Sequence, residues 1–123
     1  MPPQAIILFA HGARDPEWSK PFERLREAVS ARIPNTKVAI AYLEFMHPTL
    51  PEAISDLTAE GATTIDIVPA FMAQGGHLKR DLPVLVEAAR TRHPGTTLTL
   101  RPALGEAPGV IDAMAEHIAG PTR

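Results

Sequence analysis

A four-stranded parallel sheet flanked by helices, an α/β fold of doubly wound βαβ units, is what this sequence predicts, and three observations carry it. Short apolar runs begin near residues 5, 37, 65 and 98. Each is followed by a stretch in which apolar residues recur at helical spacing. The strand-helix pair repeats at about 30 residues, the size of a βαβ unit, which implies parallel strands joined by right-handed crossovers.

The first run, Ala5-Ile-Ile-Leu-Phe-Ala10, is apolar throughout and bounded by Pro2-Pro3 and His11-Gly12, as expected of a central strand buried on both faces. Asp15 or Ser19 can cap the helix that follows, in which Phe22, Leu25, Val29 and Ile33 share one face before Pro34-Asn35 stops it. Lys37 to Leu43 alternates Val38, Ile40 and Tyr42 with Ala39, Ala41 and Leu43, a second strand ending at Glu44. Thr49-Leu-Pro-Glu52 has the form of a capping box. It opens a helix with Leu50, Ile54 and Leu57 as its apolar stripe and Gly61 just past its end.

Ile65 to Val68 forms the third strand; Pro69 removes a backbone donor, and the strand is expected to end near Phe71. Gly75 and Gly76 permit backbone angles closed to other residues, so a sharp turn is expected there, close to a ligand, with His77 beyond it in a loop. Leu78, Leu82, Leu85, Val86 and Ala89 mark the third helix, whose regular part is expected to start near Asp81 with Pro83 in its first turn, and His93-Pro94-Gly95 ends it. Leu98 and Leu100 mark a short fourth strand. Val110, Ile111, Met114 and Ile118 mark a last helix opened near Pro108 and closed by Gly120-Pro121.

With 123 residues, a single domain over 1–123 is expected, large enough to bury roughly two-thirds of its unfolded surface. Hydrophobic residues at 45% and charged residues at 21% fit a globular protein. The net charge of -2, with basic residues scattered, lacks the footprint of a nucleic-acid binder. No cysteine is present, which removes thiolate ligands and cysteine nucleophiles, so any metal is held by nitrogen and oxygen. The run from Ala5 to Ala10 is too short for a signal-peptide core or a membrane span, and a cytoplasmic location is the expectation.

In an open parallel sheet, ligands bind beyond the carboxyl ends of the strands, where strand order reverses. His11, Glu44 and His77 each follow a strand and fall on that edge. Imidazole and carboxylate suit borderline divalent metals such as iron(II), cobalt(II), nickel(II) and zinc, and three such ligands leave coordination positions open. The same groups accept protons near neutrality, and the sequence does not divide the two roles. Taken singly, a histidine after a strand is more often bonded to backbone, and a glutamate there is more often a solvated charge; their coincidence on one edge changes the odds. Arg14, Lys79 and Arg80 read as a basic margin of the cleft or as plain surface charge. Phe71 and Met72 read as an apolar wall for a flat ligand or as core. Gly12 and Gly75-Gly76 suggest only weakly an anion-binding turn, since neither GxGxxG nor GxxxxGK is present. His93 and His117 lie near helix ends, and His47 in the second strand-to-helix loop stays outside the core set.

His11-Gly-Ala-Arg-Asp-Pro16, Tyr42-Leu-Glu44 and Pro69-Ala-Phe-Met-Ala-Gln-Gly-Gly-His77 followed by Asp81-Leu-Pro83 resemble, in order, the motifs of the sirohydrochlorin chelatases. The likeness runs from about Ala5 to Ile118 and is greatest to the short form, a sirohydrochlorin cobaltochelatase half the size of the two-lobed class II chelatases. It implies the chelatase-like fold and insertion of a divalent metal, Co2+ or else Fe2+ or Ni2+, into sirohydrochlorin, on the way to cobalamin or siroheme, without an organic cofactor. His11 and His77 match the family's active-site histidines and Glu44 its acidic partner. Arg14, Lys79 and Arg80 would then meet the carboxylates of the macrocycle. Ala13 stands where the family often carries serine, so a hydroxyl is missing there. A single lobe implies a homodimer that closes the cleft from both sides. The competing expectations are a carrier of metal or tetrapyrrole without turnover, and a metal-dependent hydrolase with Glu44 as base.

Overall fold

The computed structural model describes residues 3–120, so Pro2 and Pro121 lie outside the described residues. Four strands, β1 (Ala5–Ala10), β2 (Lys37–Tyr42), β3 (Thr64–Pro69) and β4 (Thr97–Leu100), pair in the order β2-β1-β3-β4, every pair parallel. Between and after them run α1 (Lys20–Arg32), α2 (Leu50–Ala59), α3 (Gly76–Arg92) and α4 (Pro108–Ala119), with short 3-10 helices at Pro16–Ser19 and Leu104–Glu106. β1 is central, buried at all six positions, and aligned in register with Lys37 to Tyr42 on one side and Ile65 to Pro69 on the other. The chain leaves β1 toward β2 and later returns to place β3 on the opposite side, which makes the carboxyl ends of β1 and β3 the point of reversal.

Alternation along the strands divides the core into two layers. Ile7, Phe9, Ala41, Ile65, Ile67 and Leu98 face α2 and α3, which contribute Leu50, Ile54, Leu57, Leu82 and Val86. Ile6, Leu8, Ala10, Ile40, Tyr42 and Val68 form the opposite layer, against which Phe22, Leu25, Val29 and Ile33 of α1 pack. The Thr49 capping box is present in full: the Thr49 hydroxyl accepts from the Glu52 amide and the Glu52 carboxylate accepts from the Thr49 amide. Gly61, at φ +101, follows α2 as expected. Asp15 caps the 3-10 helix by accepting from the Glu17 amide, whereas Ser19 precedes α1 without a capping bond.

Two expectations need correction. β3 ends at Pro69, two residues before Phe71, although the Ala70 amide still donates to the Phe9 carbonyl. α3 starts at Gly76 and carries Pro83 inside it, so His77 sits in the first turn of a helix and not in a loop. Leu78, Leu82, Val86 and Ala89 all reach the core from one continuous helical face, and that burial outweighs the backbone bond lost at Pro83. The last helix forms where its apolar spacing predicts, from Pro108, but no residue of α4 is buried: Ile111 is 41% and Ile118 83% exposed. α4 rests mainly on the 3-10 helix Leu104–Glu106. Among the described residues no helix is long and apolar enough to cross a membrane.

Candidate metal-handling edge

The β1-β2 ladder does not stop where the strands do. The Leu43 amide donates to the Ala10 carbonyl at 2.9 Å and the Glu44 amide to the His11 carbonyl at 3.1 Å, so the two post-strand segments stay bonded beyond the sheet. Gly12 makes this approach possible: it has φ +93, and a Cβ placed on it would lie 1.9 Å from the Glu44 carbonyl oxygen. The side chains of His11 and Glu44 are thereby held together, with Nε2 3.3 Å from Oε1, on an edge where about half of each is open to solvent. An imidazole beside a carboxylate, both accessible, can take up a divalent cation or a proton from an incoming ligand.

His77 is not part of that pair. It lies exposed at the start of α3, and Arg80 Nη2 approaches its Nδ1 at 3.4 Å. A guanidinium only donates, so Arg80 is the donor in this contact and His77 Nδ1 faces it as the acceptor. Among the described residues no three histidine or carboxylate side chains cluster closely enough to hold a metal ion. The expected three-ligand arrangement is therefore not assembled within this chain: His11 and Glu44 meet, and His77 stands apart.

The remaining candidates frame the edge. Arg14 is exposed next to the His11-Gly12 turn, and Lys79 and Arg80 are exposed on the first turns of α3. Phe71 is half-buried, its ring edge-on to Phe9 at 5.9 Å, while Met72 is 64% exposed. Gly75 and Gly76 do not adopt the left-handed angles expected of them: neither has positive φ, and a Cβ on either would meet nothing within 4 Å. Their absent side chains leave open space over the first turn of α3, whose free amides have no side-chain cap.

His47 is accounted for away from the pair. Its Nδ1 lies 2.8 Å from Glu52 Oε1, and this bond, followed by that from the Thr49 amide, holds the Glu52 carboxyl below its usual range. His93 Nε2 lies 3.3 Å from the Ser55 hydroxyl. The sequence reading missed two residues. Gly105 packs so tightly on the Phe71-Met72 backbone that a Cβ there would lie 1.8 Å from the Met72 carbonyl oxygen, and its amide donates to the Phe71 carbonyl. Nothing in the local pattern separates it from an ordinary turn glycine. Phe45, directly after Glu44, is 54% exposed with the Arg14 guanidinium stacked 4.7 Å above its ring. Periodicity gave no reason to single it out.

Taken together, these features define an α/β protein of the parallel, open-sheet class with an accessible imidazole-carboxylate pair at the reversal point of its carboxyl edge. The chain belongs to the CbiX family, whose family model matches residues 5–120. A sirohydrochlorin cobaltochelatase from Methanococcus aeolicus is 37% identical over 83 residues, and one from Saccharolobus islandicus 41% identical over 81. Those matches take in 68% and 66% of this chain but only 58% and 62% of the relatives' lengths. A putative cobalamin biosynthesis CbiX protein from Marinobacter aquaeolei superposes with TM-score 0.83 at 34% identity, 95% of each chain being covered. The sirohydrochlorin chelatase SirB from Bacillus subtilis subspecies spizizenii, solved in complex with cobalt, superposes with TM-score 0.79 at 25% identity, covering 95% of this chain and 50% of that one.

Gly12→Ala tests what holds the pair together. A left-handed alanine costs about 1–2 kcal/mol, and the overlap with Glu44 adds about 1–3 kcal/mol. Urea unfolding is expected to show a loss of roughly 2–5 kcal/mol, against little change for Gly75→Ala; equal stabilities for the two variants would contradict the close approach.

Proposed function

We propose that this protein inserts a divalent metal, cobalt foremost, into sirohydrochlorin. The observation that carries the reading is the His11–Glu44 pair, fixed by backbone bonds at the edge where the sheet reverses. The family match and the relatives named as cobaltochelatases support the choice of reaction. Cobalt in the SirB complex supports the choice of metal.

Metal entry replaces the water around the cation with four ring nitrogens and releases two pyrrole protons. His11 and Glu44 serve as ligands for the incoming ion or as acceptors for those protons, and two half-exposed ligands hold a cation weakly enough to give it up. His77 takes part as a second imidazole once its Nδ1 leaves Arg80. Arg14, Lys79 and Arg80 bind carboxylates at the rim of the macrocycle, with the Gly75-Gly76 backbone giving it room and Phe71 and Met72 forming the apolar wall. The metal is a substrate here, and the setting is the cytoplasm.

The same proposal includes a homodimer. This chain covers half of the SirB chain, its reactive edge is open, and the apolar stripe of α4 is left bare. A second copy seated against α4 buries Ile111 and Ile118 and encloses a macrocycle that one copy leaves exposed.

Purified metal-free protein mixed with sirohydrochlorin and Co2+ is expected to accelerate the absorbance change of insertion over the spontaneous rate. His11→Ala and His77→Ala should each lower that rate at least ~100-fold while remaining folded by circular dichroism. Stoichiometric binding of metal or macrocycle without acceleration favours a carrier instead. Sedimentation should give twice the chain mass, and Ile118→Glu should shift the protein toward monomer; a wild-type monomer with full activity contradicts the dimer.

A further inference from the structure

The loop from Leu43 to Pro48 is fastened at both ends. Its start is bonded to Ala10 and His11, and its end returns to the sheet where the Tyr42 amide donates to the Pro48 carbonyl at 2.9 Å and Tyr42 bridges to Thr49. Between these anchors Phe45 has φ +69, and it is the one non-glycine residue with positive φ among the described residues. That conformation costs an ordinary side chain about 1–2 kcal/mol, and glycine or asparagine adopts it more readily. The Phe45 ring does not offset the strain by burial: it is 54% exposed and belongs to neither core layer.

What the ring does touch is Arg14, the guanidinium carbon standing 4.7 Å from its centroid. Two turns therefore carry two adjacent rungs, His11 with Glu44 and Arg14 with Phe45. A guanidinium stacked on an aromatic face is held in plane while its N–H edge stays available, and that edge matches a carboxylate with two parallel hydrogen bonds. Left free, the long side chain of Arg14 would lose more rotamer freedom on engaging a ligand.

We propose that Phe45 is a positioning residue, kept in a strained conformation so that its exposed ring orients Arg14 beside the His11–Glu44 pair to grip one carboxylate of a flat, polyanionic macrocycle. This deepens the chelatase reading, on which the identity of the macrocycle rests. The stack governs capture and registration of the ligand, and the loss on removing it falls on binding rather than on turnover of the bound complex.

The test combines calorimetric titration of metal-free protein with sirohydrochlorin and steady-state insertion of Co2+. Phe45→Gly and Phe45→Asn delete the ring and relieve the backbone, so both should match or exceed wild type in urea unfolding midpoint. Both are expected to raise the macrocycle Kd, and KM with it, about 5–10-fold, the loss of one oriented contact of about 1–1.4 kcal/mol. Phe45→Tyr should restore wild-type binding. Arg14→Ala should weaken binding at least as much, and adding Phe45→Gly to it should bring no further loss, because the ring acts through the arginine. Wild-type Kd in Phe45→Gly, or additive losses in the double variant, would overturn the proposal. Macrocycle binding that depends on the stack, in a wild type that does not accelerate insertion, sinks the chelatase reading and upholds the stack; no macrocycle binding by wild type overturns both.

Discussion

The arrangement of the reactive edge depends on backbone hydrogen bonds that outlast the strands forming them. With Leu43 and Glu44 bonded to Ala10 and His11, two polar side chains that lie 33 positions apart in sequence are set beside each other by the sheet itself. Gly12 is the condition for that closeness, since no other residue has both the angle and the absent Cβ that its contact with Glu44 requires. A half-exposed imidazole-carboxylate pair is worth little to stability as an ion pair. Its placement owes nothing to that attraction and follows from a ladder anchored in the best-buried strand of the molecule.

The helices divide their work unequally. α1 covers one face of the sheet along β1 and β2, and α2 with α3 cover the other, which leaves α4 lying on a 3-10 turn with an apolar stripe in solvent. An edge open on one side and a bare helix in the same chain are parts of one problem. The second copy proposed above would answer both, and the SirB chain, of which this chain covers half, has the length for two such lobes. Arg80 at His77 fits the same picture, because it occupies that imidazole while the edge stands open.

Much of this was legible in the sequence because strands and caps are written locally. The unbroken apolar run of β1, the alternation in β2 and the Thr49-Glu52 box each fix their element with little help from elsewhere. His11 and Glu44 were found because they follow strands whose common direction the βαβ rule supplies. The errors came where tertiary contacts decide. Burial of Leu78, Leu82 and Val86 carries α3 back through Pro83 to Gly76, against the local signal that placed its start near Asp81. Gly75 and Gly76 looked like a hinge, but the ordinary angles they adopt belong to a helix start. Phe45 and Gly105 are defined by what lies across from them, Arg14 in one case and the Met72 backbone in the other, and no spacing rule reports such neighbours.

The central claim is that His11, with Glu44 and with His77 recruited, handles the cation. Histidine ring resonances of protein labelled with nitrogen-15, followed as Co2+ is added, test it most directly, since a paramagnetic ion relaxes the imidazoles nearest to it. The account predicts selective loss of the His11 and His77 signals at stoichiometric cobalt, with His93 and His117 retained. Loss confined to His93 or His117, or no selective loss at all, would contradict it.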